Sequence, residues 1–177
     1  AGTSELDEAP PKHRCPAEMV DVDGLFCIDR YEVSLVERRL GRPLSPFYPP
    51  DRARTKTLFE GWTTQRETLG PAWARKLAVP EPPAWQLSED VEPEALVVAG
   101  ALPNGYLSGE SAARACANAG KRLCSELEWV TACRGKDDVP FPYGERYEAG
   151  ACNVMRRSHP AALLHDDASS GHLDPRL

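Results

Sequence analysis

Ala119-Gly-Lys-Arg-Leu-Cys-Ser-Glu-Leu-Glu-Trp129 joins two helix signals and sets the α component of the fold. Before it, Ala112, Ala115, Cys116 and Ala119 recur at i, i+3, i+4 and i+7, the spacing of one helical face. Ser108 is placed to cap that helix, which runs to about Ala119, and Gly120 supplies the left-handed residue that ends it. After it, Ser125 and Glu128 make a capping-box pair, so a second helix starts at Ser125 and stops at Gly135. Leu127 and Val130 point one way, Trp129 and Cys133 another, which predicts a helix covered on more than one side. The small residues of the first helix allow a neighbouring element to approach closely.

The β component lies upstream. Met19-Val-Asp-Val22 and Leu25-Phe-Cys-Ile-Asp-Arg-Tyr-Glu-Val33 flank Asp23-Gly24, and Asp-Gly supplies the positive φ angles of a type I′ hairpin turn. Arg30 and Glu32 would share a face of that strand as an ion pair. Between about Leu40 and Leu102 the character changes. More than half of the 17 prolines fall there, including Pro49-Pro50 and Pro82-Pro83. Proline breaks helices and central strands. The region therefore reads as an extended, surface-hugging insertion with a short helix at Pro71–Leu77 and a short strand at Leu96–Val98. Trp62, Trp73 and Trp85 within it need something to pack on, and are the candidate partner-contact residues.

Composition bounds the function. The 177 residues suffice for one domain with a core, and the formal charge of -6 argues against a nucleic-acid partner. No run of apolar residues is long enough to span a membrane. Residues 1–14 read as a flexible leader, and 15–177 as a single domain carrying the insertion at about 40–102. Cys15, Cys27, Cys116, Cys124, Cys133 and Cys152 include no Cys-x-x-Cys pair. An even set without metal-site spacing favours disulfides and an oxidising compartment, the alternative being buried thiols. A Cys15–Cys27 bridge would pin the N-terminal segment to the second hairpin strand.

Phe26-Cys-Ile-Asp-Arg-Tyr-Glu-Val33, the run at 119–129 and Pro140-Phe-Pro-Tyr-Gly144 together resemble the formylglycine-generating enzyme family, the sulfatase-modifying factors. The likeness covers about residues 15–36 and 96–155, with Cys124 where the family usually has proline. It implies an α+β, C-type-lectin-like fold with short strands, two packed helices and much irregular structure. Family oxidases convert a sulfatase cysteine to formylglycine with a late, copper-binding cysteine pair, beside a Gly-Asn-x-x-Glu-Trp and a terminal Gly-Phe-Arg segment. None of these lies within the 177 residues, so the likeness transfers no catalytic residue, and the chain reads as the N-terminal portion of the domain. Cys116 and Cys133 match helix cysteines that in the family often bridge to the later half. Here they would pair with each other, with Cys124 or Cys152, or with another chain.

The likeness also implies a calcium site. Asn153 matches a position that binds structural calcium through its side chain, with the next carbonyl, of Val154, contributing. Asp166 and Asp167 would complete the oxygen set; otherwise Asn153 caps a turn and the two aspartates are solvated. His159, His165 and His172 sit among loop residues at spacings that fit no transition-metal motif, and read as exposed polar side chains. The expectation is a noncatalytic recognition or structural module in a secreted or periplasmic assembly, partnered by a complementary fragment or another subunit. The alternative is the larger fragment of a nicked copper-dependent oxidase whose cysteine pair lies on a second fragment.

Overall fold

The computed structural model describes residues 15–65, 68, 72, 74–76 and 78–152. Among the described residues the fold is α+β, with three α-helices and two small antiparallel sheets. The described residues divide into two compact units, one within 15–30 and 124–147, the other within 31–123 and 148–152.

In the first unit β1 (Met19–Val22) pairs with β2 (Phe26–Asp29), with Met19 opposite Asp29 and Val22 opposite Phe26. Asp23 and Gly24 have φ of 52° and 71°, as a type I′ turn requires, and the Asp21 carboxylate accepts the Gly24 N–H at 3.1 Å. Cys15 and Cys27 form a disulfide with Cα atoms 5.6 Å apart, which ties the entering chain to β2. The strand ends at Asp29, before Arg30 and Glu32 can share its face. Arg30 instead turns back, its Nε donating to the Ala17 carbonyl at 3.1 Å.

The second unit holds a three-stranded sheet in the order β4 (Arg42–Pro43), β3 (Ser34–Glu37), β5 (Pro93–Leu96). Both prolines lie on edge strands, where a missing N–H donor breaks no central ladder. Leu35, Leu44, Ala95 and Ala115 form its buried cluster. Ala115 comes from α2 (Gly109–Asn118), which packs against β5; small side chains permit that approach. Asn104 stitches the layer together. Its Oδ1 accepts the Leu35 N–H at 2.7 Å and its Nδ2 donates to the Ser45 carbonyl at 3.0 Å.

The proline-rich stretch differs from the expected surface-hugging insertion. It contains a 14-residue helix, α1 (Arg52–Gln65), and much of the core: Leu44, Tyr48, Trp62, Val79 and Ala95 are buried, with Ser45, Thr55 and Gln86 among them. Asp51 opens α1, its Oδ1 accepting the Arg54 N–H at 2.7 Å. Thr55, Leu58, Phe59 and Trp62 then recur at helical spacing. The short helix expected at Pro71–Leu77 falls partly on undescribed residues, with a 3₁₀ turn at Ala74–Lys76. The strand expected at Leu96–Val98 lies earlier, at Pro93–Leu96.

Proline itself explains how this stretch is buried. A chain segment rich in proline lacks N–H donors yet keeps every carbonyl, so it presents unclaimed acceptors. Side chains fill them. Thr55 Oγ1 donates to the Pro49 carbonyl at 2.7 Å, and the Tyr48 hydroxyl to that of Pro80 at 2.6 Å. Asn118 Nδ2 reaches the Pro93 carbonyl at 2.7 Å. Gln86 accepts the Ser45 N–H at 2.9 Å and lies 3.4 Å from the Pro49 carbonyl.

Candidate interaction surface

The second helix of the sequence signal, α3 (Glu126–Arg134), belongs to the hairpin's unit and is complete at both ends. Ser125 Oγ accepts the Glu128 N–H at 3.2 Å, and the Glu128 carboxylate accepts the Ser125 N–H at 2.8 Å. Gly135 closes it with φ of 65°, donating its N–H to the Thr131 carbonyl at 3.1 Å. Arg134 pairs with Asp138 at 3.1 Å.

Its sides are another matter. No residue of α3 is buried; Leu127 is 75% exposed and Trp129 60% exposed. Two residues apart on a helix is a rotation of about 200°, so these side chains stand on opposite faces. A helix apolar on opposite faces is built for an interior, where neighbours lie on both sides. Covering a Leu side chain fully is worth about 1.5–3 kcal/mol, so this exposure is a standing cost in the isolated unit.

Further aromatic surface lies in the same unit. Phe141 stacks on Tyr143 with centroids 5.4 Å apart and meets Tyr147 edge-on at 6.0 Å. The Phe141–Gly144 turn is held by reciprocal backbone bonds of 3.3 and 3.0 Å. Tyr147 is about half exposed, as is Leu25 more fully at the hairpin tip.

The tryptophans expected to contact a partner are placed differently from one another. Trp62 is buried in its own unit. Trp85 is half-buried with the Arg42 guanidinium 4.0 Å above its ring. Trp73 lies outside the described residues, as do Asn153, Val154, Asp166 and Asp167 of the expected calcium set and all three loop histidines. Among the described residues no group of three or more His, Cys, Asp or Glu is placed to hold a metal ion. None of their helices is long and apolar enough to cross a membrane. Of the remaining cysteines, Cys133 carries an exposed thiol and Cys152 a half-buried one, while Cys116 is half-buried and Cys124 exposed.

A charged clasp lies in the sheet unit. Arg42 holds Glu89 with two hydrogen bonds, of 3.2 and 2.6 Å, and its Nε lies 3.6 Å from Glu37. The Arg39 and Leu40 N–H groups donate to the two oxygens of Glu37 at 2.9 and 3.0 Å. The Arg39 bond above all holds the Glu37 carboxyl below its ordinary range, and the Arg42 hydrogen bond does the same for Glu89. With both carboxylates favoured in their ionised form and hydrogen-bonded, the cluster fastens β3 and β4 to the 84–89 segment.

No family model matches the chain, nor does any curated protein or solved structure.

Proposed function

We propose that the chain is a noncatalytic recognition or structural module of the formylglycine-generating-enzyme-like group, working in an extracytoplasmic assembly where another polypeptide covers α3. The observation that carries this reading is a well-capped helix with apolar residues on opposite faces and none of them buried. The Cys15–Cys27 bridge favours an oxidising compartment. The family reading rests on the motifs of residues 26–33, 119–129 and 140–144. Its support from the fold is at the level of class, α+β with short strands.

The test is the mass of the native species. In an extract of the source, the chain should elute as a complex, and Leu127→Ser with Trp129→Ser should release it as a monomer of unchanged circular dichroism. A wild-type chain that is monomeric there, with identical elution of the double variant, would falsify the reading.

A further inference from the structure

The sheet unit has an open groove of about 570 Å³ between α1 and the 106–108 segment. That volume lies in the range of small-molecule sites. Ala53 and Leu58 from α1 line one side, Tyr106 and Leu107 the other. Arg54 is the one charged residue lining it. Its neighbours on the helix are engaged: Arg52 with Asp90 at 3.2 Å, Lys56 with Glu60 at 3.8 Å. The adjacent carboxylate, Asp51, caps α1 through Oδ1. Arg54 makes no ion pair among the described residues, so an apolar groove carries an exposed positive charge at its wall.

Backbone strain falls at the same place. Tyr106 has φ of 59°, a region unfavourable for a bulky side chain, although Gly105 beside it would take that conformation freely. Gly105 is instead bound to the Pro46 carbonyl through its N–H at 3.0 Å, which leaves the turn to Tyr106 and sets that residue against the groove. Strain of this kind persists where the surroundings over-determine a residue's position, and it gathers at ligand sites.

We propose that this groove binds a small amphipathic carboxylate, with its apolar body against Ala53, Leu58 and Leu107 and its carboxylate on Arg54. The site lies on a different unit from α3. A guanidinium pairs with a carboxylate by charge-assisted hydrogen bonds, while a neutral ligand of the same shape keeps the apolar contact and loses the pair.

The probe pair is 4-phenylbutyrate and its neutral counterpart 4-phenylbutan-1-ol, titrated at millimolar concentration into the full chain and followed by amide chemical shifts. The expected shifts map to residues 53–58 and 106–108, and the acid binds about fivefold tighter, the value of one exposed ion pair near 1 kcal/mol. Arg54→Met should bring the acid to the affinity of the alcohol. Ala53→Trp, which fills the groove from an exposed helix position, should abolish both with circular dichroism unchanged. Absent shifts at these amides, equal affinity of acid and alcohol, or an acid preference that survives Arg54→Met would each overturn the proposal.

Discussion

Replacing Gln86 by Leu tests whether the proline-rich stretch is core. Gln86 is fully buried, and its Oε1 is the acceptor for the buried Ser45 N–H at 2.9 Å. Leucine has similar bulk but no acceptor. The Pro49 carbonyl keeps its bond from Thr55 at 2.7 Å, so the stranded group is the Ser45 donor. A buried donor without a partner costs about 1–3 kcal/mol, and we expect a loss near 2 kcal/mol. Gln86→Ala adds a cavity and should cost about 3–4 kcal/mol. With a urea slope of about 2 kcal/mol/M, the midpoint should fall by about 1 M for the leucine variant and by nearly twice that for alanine. Equilibrium unfolding in urea followed by tryptophan fluorescence gives the midpoints, and the Ser45 amide should lose protection from hydrogen exchange. A leucine variant within about 0.5 kcal/mol of wild type, with Ser45 still protected, would refute the reasoning that this side chain secures the stretch.

Trp62→Ala should destabilise the chain by about 3–5 kcal/mol, whereas Leu127→Ala, at a position 75% exposed, should stay within about 0.5 kcal/mol in the isolated protein; urea midpoints compare them. Equal losses would mean that burial is misassigned at one of the two. Ser125→Ala removes the N-cap of α3 and should cost about 1 kcal/mol, with faster amide exchange at Glu128 as the local readout. Glu37 has a folded pKa below its ordinary value of 4.5, so its contribution is fully present above that pH and is lost as pH falls through the depressed folded value. Glu37→Gln should therefore flatten the dependence of urea stability on pH below about 4.5, and an unchanged acid slope would show that Glu37 is not the source.

Several elements were legible because their causes are local. The Asp23-Gly24 turn, the Ser108 cap and the Ser125–Glu128 box each close hydrogen bonds within three residues along the chain. Those bonds form whatever the rest of the molecule does. Helix α1 was not foreseen: the surrounding prolines turned the reading of 40–102 to an extended insertion, although Asp51 and the spacing of Thr55, Leu58, Phe59 and Trp62 carry a helix signal. The opposed apolar faces of α3 were likewise evident in its sequence. Their exposure was not, since a pattern specifies a need for cover without supplying it.

By itself the sequence determined the α+β class, the hairpin with its Cys15–Cys27 bridge, and the ends of α2 and α3. Tertiary structure alone decided that the proline-rich stretch is interior. Its bonds join Ser45 to Gln86 and Tyr48 to Pro80, pairs separated by 41 and 32 residues. Such partners are chosen by the whole fold, because a buried backbone N–H or carbonyl with no local partner must be met by whichever side chain the packing brings to it.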